Sequence, residues 1–261
     1  MNTVIVPVDF SVTSIHAAKY AVQLLAGHTG INLLLYHSYS KASEEAGAQS
    51  DLEKLREELL HDTNLGIEIM AHQADDLVEG LEKAARHRRA DLVIMGISGK
   101  SAIAQVIYGS NTLKMAKTKA CPVMIIPEEA PFNPISKVML TSDFKDTHQT
   151  TPSVPIKNFL DLFKPKLHIV NVDKKHYISL TEDYERERQD LTRLFADYNP
   201  DFHFLRLYDV DEALNLFADD MHIDLIITIQ KNHSFMEKLF RASHTRKLSF
   251  HSKVPILIIH E

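Results

Sequence analysis

Val4-Ile5-Val6-Pro7-Val8-Asp9-Phe10 returns as Val138-Met139-Leu140-Thr141-Ser142-Asp143-Phe144, so that Asp9 and Asp143 stand 134 residues apart. Three further segments repeat in the same order. Asn32 to Tyr39 is echoed by Lys166 to Asp173 at the same displacement. Asp91-Leu92-Val93-Ile94-Met95 returns as Asp224-Leu225-Ile226-Ile227-Thr228, and Pro122-Val123-Met124-Ile125-Ile126 as Pro255-Ile256-Leu257-Ile258-Ile259, both displaced by 133 residues. One apolar run matching another proves little. Four in order at a nearly constant spacing mark an internal duplication, which decides the architecture before any single element is assigned. Glu128 to Ser136, punctuated by Pro131 and Pro134, reads as the linker. The expected domains are therefore residues 1–130 and 136–261.

Within each copy, short β-branched runs alternate with helical patterns. Ile15, Ala18, Val22 and Leu25 fall at helical spacing, with Gly27 or Gly30 placed to end that helix. Leu52, Leu55 and Leu59 mark a second helix, and Leu77, Leu81, Ala84 and Ala85 a third, with Ile67 and Ile69 alternating as a strand between them. The second copy repeats this with Ile156, Phe159, Leu160 and Phe163, then Tyr184, Leu191 and Phe195, then Val210, Leu214, Phe217 and Ala218. Strands that are apolar throughout belong to parallel sheets covered on both faces. The pattern predicts an α/β protein of two tandem doubly wound domains, each a mainly parallel five-stranded sheet with helices on both faces.

Composition excludes several classes. With 44% apolar and 25% charged residues, the 261-residue chain is a globular protein rather than a disordered one. A net charge of −6 argues against nucleic acid or an anionic membrane as a partner. No apolar run approaches the roughly 18–20 residues that cross a bilayer. The amino terminus carries no secretory signal pattern, and the single cysteine, Cys121, excludes an intrachain disulfide. Together these readings predict a cytoplasmic protein.

In sheets of this kind a ligand sits beyond the carboxyl ends of the strands, where the strand order reverses. The residues ending the strands of the first copy are Pro7-Val8-Asp9, His37-Ser38 and Met95-Gly96-Ile97-Ser98-Gly99. Nine residues later Gly109-Ser110-Asn111-Thr112 opens a helix. Gly96 and Gly99 let a backbone turn sharply and approach a ligand closely. A helix start at Gly109-Ser110-Asn111 presents unpaired N–H groups to an anion, with two side-chain donors beside them. Each glycine alone reads as a turn or cap, and Asp9 alone as a helix N-cap. Taken together, following a strand and preceding a helix, they read as a phosphate cradle.

Gly96-x₂-Gly99-x₉-Gly109-Ser110 resembles the ATP-binding signature of the universal stress protein (UspA) family. Val6-Pro7-Val8-Asp9-Phe10-Ser11 is similar to that family's first strand, and Cys121-Pro122-Val123 to its closing one. The resemblance spans nearly the whole chain as a tandem pair and implies an adenine nucleotide α-hydrolase-like fold. It also implies that Pro7, Val8 and Asp9 border the adenosine, with Asp9 near the ribose and phosphates. Ser38 stands where the family more often has valine and where backbone groups read adenine. Met95, Gly96, Ser98, Gly99, Gly109, Ser110 and Asn111 complete the implied ATP site, and Asp9 is the expected contact for a Mg²⁺ bridged to the phosphates. Single-domain members pair through their last strand, so the resemblance implies an intramolecular pseudo-dimer through Val123–Ile126 and Ile256–Ile259. A further homodimer is also compatible with it.

The second copy departs from the signature. At a displacement of 133, Gly96 becomes Ile229, Gly99 becomes Asn232, Gly109 becomes Ala242, Ser110 becomes Ser243 and Asn111 becomes His244. ATP is therefore expected in the first copy alone. Other features read more plainly. The 15 histidines, His244 and His251 included, show no HExxH or Cys/His zinc spacing and read as surface residues. Lys231, Lys238, Arg241, Arg246 and Lys247 read as a solvated basic face, Cys121 as a small buried residue, and Leu180 to Tyr198 as an amphipathic cover.

Three functions fit these readings. The first is an ATP-binding stress or signalling module whose conformation an unidentified protein partner reads. The second is a slow ATPase or phosphotransferase, although GxxxxGK[ST] and a GxGxxG first turn are both absent. The third is a nucleotide-free interaction scaffold.

Overall fold

The computed structural model describes residues 1–61, 63–97, 109–172, 182–205, 210–231 and 253–261. The chain divides into two compact units, Met1–Phe132 and Asn133–Glu261.

The first unit runs β1 (Thr3–Pro7), α1 (Val12–Leu25), β2 (Asn32–Tyr39), α2 (Glu45–Leu60), β3 (Gly66–Gln73), α3 (Leu77–Arg88), β4 (Leu92–Ile97), α4 (Gly109–Met115) and β5 (Val123–Pro127). Its strands lie in the order β3-β2-β1-β4-β5, and each neighbouring pair is parallel. Val4, Ile5 and Val6 of β1 and Val123 to Ile126 of β5 are wholly buried, as continuous apolar runs in a doubly covered sheet should be. Each such side chain contributes roughly 1.5–3 kcal/mol of burial. On the α1 side the cover is Ala17, Ala18, Tyr20, Ala21 and Leu25. The helix ends as the glycines predict, with Gly27 at φ +82° and Gly30 at φ +79°. Asp76 caps α3, its Oδ1 accepting from the N–H groups of Val78 (2.8 Å) and Glu79 (3.0 Å).

In the second unit the elements are β6 (Lys137–Thr141), α5 (Ser153–Phe163), β7 (Lys166–Val172), α6 (Glu182–Leu194), β8 (Asp201–Leu205), α7 (Val210–Met221), β9 (Leu225–Gln230) and β10 (Ile256–His260). Its strand order, β8-β7-β6-β9-β10, repeats that of the first unit, again all parallel. The duplication extends to individual bonds. Asp91 Oδ2 accepts from the N–H groups of Asn2 (2.6 Å) and Thr3 (3.1 Å), fastening the start of β1. Asp224 Oδ2 does the same for β6, accepting from the N–H groups of Ser136 and Lys137, both at 2.9 Å.

One element breaks the symmetry. α1 begins directly after the turn that follows β1, whereas the equivalent stretch of the second unit forms only a helical turn, Thr147–Thr150. Glu187 holds that turn, its carboxylate accepting from the Thr147 N–H and hydroxyl, each at 2.7 Å. Pro152 then stands at the N-cap of α5, where a residue without N–H can start a helix but not continue one. Among the described residues no helix is long and apolar enough to cross a membrane.

Candidate functional site at the switch point

The chain leaves β1 for β2 and β3 on one side, then crosses back to lay β4 on the other, with Val4 opposite Leu92 and Ile5 opposite Val93. Beyond the carboxyl ends of β1 and β4 the connections therefore run in opposite directions and leave a crevice. Pro7-Val8-Asp9 and Met95-Gly96-Ile97 end on its two sides, with Ser38 on the adjoining β2.

Val8 is buried and fixed on both sides of its peptide. Its N–H donates to the Tyr36 carbonyl (2.8 Å), and its carbonyl lies 2.7 Å from His37 Nδ1. A carbonyl only accepts, so Nδ1 carries the proton. The His37 ring also packs on Phe10, with centroids 4.9 Å apart. Phe10 has φ 61°, a left-handed conformation that a bulky residue adopts only under constraint. His37 thus positions the β1 turn, a role its place at the end of a strand does not announce.

Asp9 is exposed, but it does not cap α1. Its Oδ1 accepts from the Ser11 N–H (3.0 Å) and hydroxyl (2.5 Å). Ser11 is the N-cap, its Oγ accepting from the Ser14 N–H (3.3 Å). Surrounding protein raises the Asp9 pKa, yet bonds from Ser11 and Ser14 outweigh this and hold the carboxyl below its ordinary value. The group is an ionised, exposed carboxylate at the mouth of the crevice.

Gly96 has a reason for lacking a side chain other than the expected one. A Cβ there would lie 2.4 Å from the carbonyl oxygen of Thr13 and 2.9 Å from its carbonyl carbon. The absent side chain admits the first turn of α1. The Gly96 carbonyl accepts from the hydroxyl of buried Thr112 (3.1 Å), which ties α4 to the end of β4. Met95 is buried beneath. Gly109, Ser110 and half-buried Asn111 open α4 as expected. Ser98 and Gly99 lie outside the described residues.

The same place in the second unit is differently furnished. Asn171 Nδ2 donates to the Ser142 carbonyl (2.8 Å), the counterpart of the His37–Val8 contact, and Phe144 repeats the positive φ at 54°. Ile229, buried, stands in place of Gly96. Lys231, in place of Ser98, reaches from the end of β9 to the turn after β6. Its Nζ lies 2.6 Å from Asp143 Oδ1 and 2.9 Å from the Lys145 carbonyl. An ion pair thus spans this unit's own switch point. Beside it Tyr184 stacks on Phe144, with centroids 4.9 Å apart and planes 9° from parallel, and Phe204 meets both edge-on. Asn232, Ala242, Ser243, His244 and His251 lie outside the described residues, as do Lys238, Arg241, Arg246 and Lys247. Cys121 is buried, and burial pushes its thiol up to about 12. Of α6 only Leu191 is buried, which makes that helix a cover.

Comparison with known proteins agrees with this architecture. The universal stress protein family model matches residues 1–127 and 164–260. A universal stress protein of Thermus aquaticus, from the QAH/OAS sulfhydrylase 3′ region, is 28% identical over 135 residues, covering 48% of this chain and 98% of its own length. One from Methanocaldococcus jannaschii is 22% identical over 136 residues, covering 47% and 80% respectively. Each of those relatives thus matches about half of this chain. A universal stress protein structure from Archaeoglobus fulgidus superposes with a TM-score of 0.72 at 13% identity, covering 100% of this chain and 96% of the other. The chain belongs to the universal stress protein family, with two family domains in tandem.

Proposed function

We propose that the protein is an ATP-binding stress or signalling module in which the first unit alone holds the nucleotide. The observation that carries this reading is the contrast between the two switch points. In the first unit the crevice is bordered by an exposed ionised carboxylate, a glycine strand end and a helix opening on Gly109. In the second, the Lys231–Asp143 ion pair bridges the same place.

Val8, fixed by His37 and Tyr36, would present a rigid backbone edge to the adenosine, and Pro7 and Ser38 flank it. Gly109, Ser110 and Asn111 would meet the phosphates through N–H and side-chain donors, and the sequence motif adds Ser98 and Gly99 to that set. Asp9 suits a Mg²⁺ shared with the phosphates, since that ion commonly takes one or two protein carboxylates and completes its shell with phosphate and water. The neutral donors of this set bind ground-state triphosphate and transition state alike, which does not accelerate hydrolysis. Turnover well below the roughly 1–10³ s⁻¹ of ordinary enzymes is the consequence.

Titration calorimetry of the full chain with ATP tests the reading. One site per chain is expected, lost in Gly109→Val and kept in Ala242→Val. Two equivalent sites, or none in folded protein, overturn it. A Mg²⁺-dependent rate within the enzymatic range would replace the module with an ATPase.

A further inference from the structure

His168 and His203 stand on β7 and β8, neighbouring strands of the second unit on the side of β6 opposite β9. In register, His168 faces Asp201 and Val170 faces His203. Side chains alternate along a strand, so His168, Asp201 and His203 share one face of the sheet. His168 Nδ1 lies 3.0 Å from His203 Nε2 and 4.0 Å from Asp201 Oδ2. One donor atom from each residue lies within 4.8 Å of the other two, and no other such group of three occurs among the described residues.

A tetrahedral zinc ion with nitrogen and oxygen ligands at about 2.0–2.2 Å keeps its ligand atoms about 3.3 Å apart. The observed separations bracket that value. His168 is only 4% exposed, and its Nε2 is buried without a hydrogen-bond partner. Nδ1, the nitrogen that faces His203 and Asp201, is the atom available to a metal; Nε2, on the other side of the ring, takes no part in the site. Phe217 packs on both rings, with centroids 6.3 Å from His168 and 4.8 Å from His203, and holds their orientation. Asp201 is exposed, which leaves a side open to solvent.

We propose that His168, His203 and Asp201 form a binding site for one divalent ion of the zinc class, with water in the fourth position. Two imidazoles and one carboxylate suit zinc among the biological metals and leave one coordination position open. One group opposes the ion. Lys166 Nζ lies 3.2 Å from Asp201 Oδ2 and competes for the carboxylate. It is also bonded to the Asn199 carbonyl at 3.2 Å, so it has a second partner when the carboxylate turns to a metal. Lys137 is engaged elsewhere, donating to the Met221 carbonyl at 2.9 Å. The site is independent of nucleotide and stands whether or not the first unit binds ATP.

The test uses the chelator-stripped full chain, titrated with Zn²⁺ against a chromophoric chelator and separately with Co²⁺ as a visible reporter. One tight equivalent per chain is expected, with the intense visible bands of four-coordinate Co²⁺. Asp201→Asn and His203→Gln alter residues that are not fully buried, so folding, checked by circular dichroism, should survive. Each should weaken binding by more than the roughly 10–100-fold that loss of a mere supporting partner costs. Lys166→Met should tighten it several-fold by releasing the carboxylate. Absence of a one-to-one site in folded protein overturns the proposal. So does binding that His203→Gln leaves unchanged, which would place the metal on other histidines.

Discussion

Gly96→Ala adds one methyl group where a Cβ would lie 2.4 Å from the Thr13 carbonyl oxygen and 2.9 Å from the carbonyl carbon. Ordinary contact begins about 1 Å farther out, on the steep wall of the repulsion. The obstacle is helix backbone in the first turn of α1, which no rotamer change can move aside. Relief requires α1 or β4 to shift by a similar distance, and overpacking of this kind costs about 1–3 kcal/mol. The stiffer unfolded chain of an alanine variant returns only about 0.4–1 kcal/mol. Each kcal/mol of net loss lowers the midpoint of a domain near this size by about 2–8 °C. Urea unfolding followed by far-ultraviolet circular dichroism, without nucleotide, measures the effect. Ile229→Val in the second unit is the control, because it removes one methyl group at the equivalent position and should cost about 0.5–1.5 kcal/mol by the opposite route of leaving a void. A Gly96→Ala variant as stable as the parent would refute the reasoning. The outcome also governs how ligand data are read, since a Gly96 variant that loses ATP will have lost the placement of α1 as well. Gly109 is the cleaner probe of phosphate contact.

Ser11→Ala removes both the cap of α1 and the partner of Asp9, and should cost about 0.5–2 kcal/mol in the same unfolding assay. Because the folded Asp9 pKa is depressed, its stabilisation is fully present above the unfolded value and is lost as pH falls through the folded one, below about pH 4. The variant should flatten that acid limb, and superimposable acid-unfolding curves would contradict the assignment. Cys121, buried with its thiol pushed up to about 12, should react with iodoacetamide only as fast as the chain opens; prompt stoichiometric labelling of native protein, followed by mass spectrometry, would show otherwise. Lys231→Met breaks a partly exposed ion pair and should change stability by no more than about 1 kcal/mol. It should create no second ATP site, since the loop glycines are still missing; a calorimetric stoichiometry rising to two would show that the lysine alone closes the crevice.

Much of the fold is written in the strands. Val4-Ile5-Val6 and Val123 to Ile126 are buried on both sides, so their sequence is apolar without interruption, and the second copy inherits the same demand at Val138-Met139-Leu140 and Ile256 to Ile259. Helical spacing likewise placed Ile156, Phe159 and Leu160 on the buried side of α5. The retreat of that helix relative to α1 was not legible. It depends on Pro152 breaking the chain after a turn that Glu187 holds from a separate helix, and periodicity records which face is buried, not which distant carboxylate fixes the start.

The strand ends and the helix start around the crevice were legible as positions, but the packing reasons for their residues were not. A glycine in a sequence says that some neighbour comes close, but which neighbour depends on contacts far along the chain. At Gly96 the neighbour is Thr13, in the helix that starts right after the β1 turn. This changes the meaning of Ile229. In the second unit the residue equivalent to Thr13 is Thr147, which belongs to the short turn bound to Glu187, and the full helix waits until Ser153. A buried branched side chain therefore fits where the first unit cannot accept a methyl group. The glycine, the early helix start and the Ser11-bonded Asp9 form one consistent set; the isoleucine, the retreated helix and the Lys231–Asp143 pair form another. Restoring a single residue should then fail to convert one into the other, because Ile229→Gly alone leaves both the retreated helix and the lysine in place.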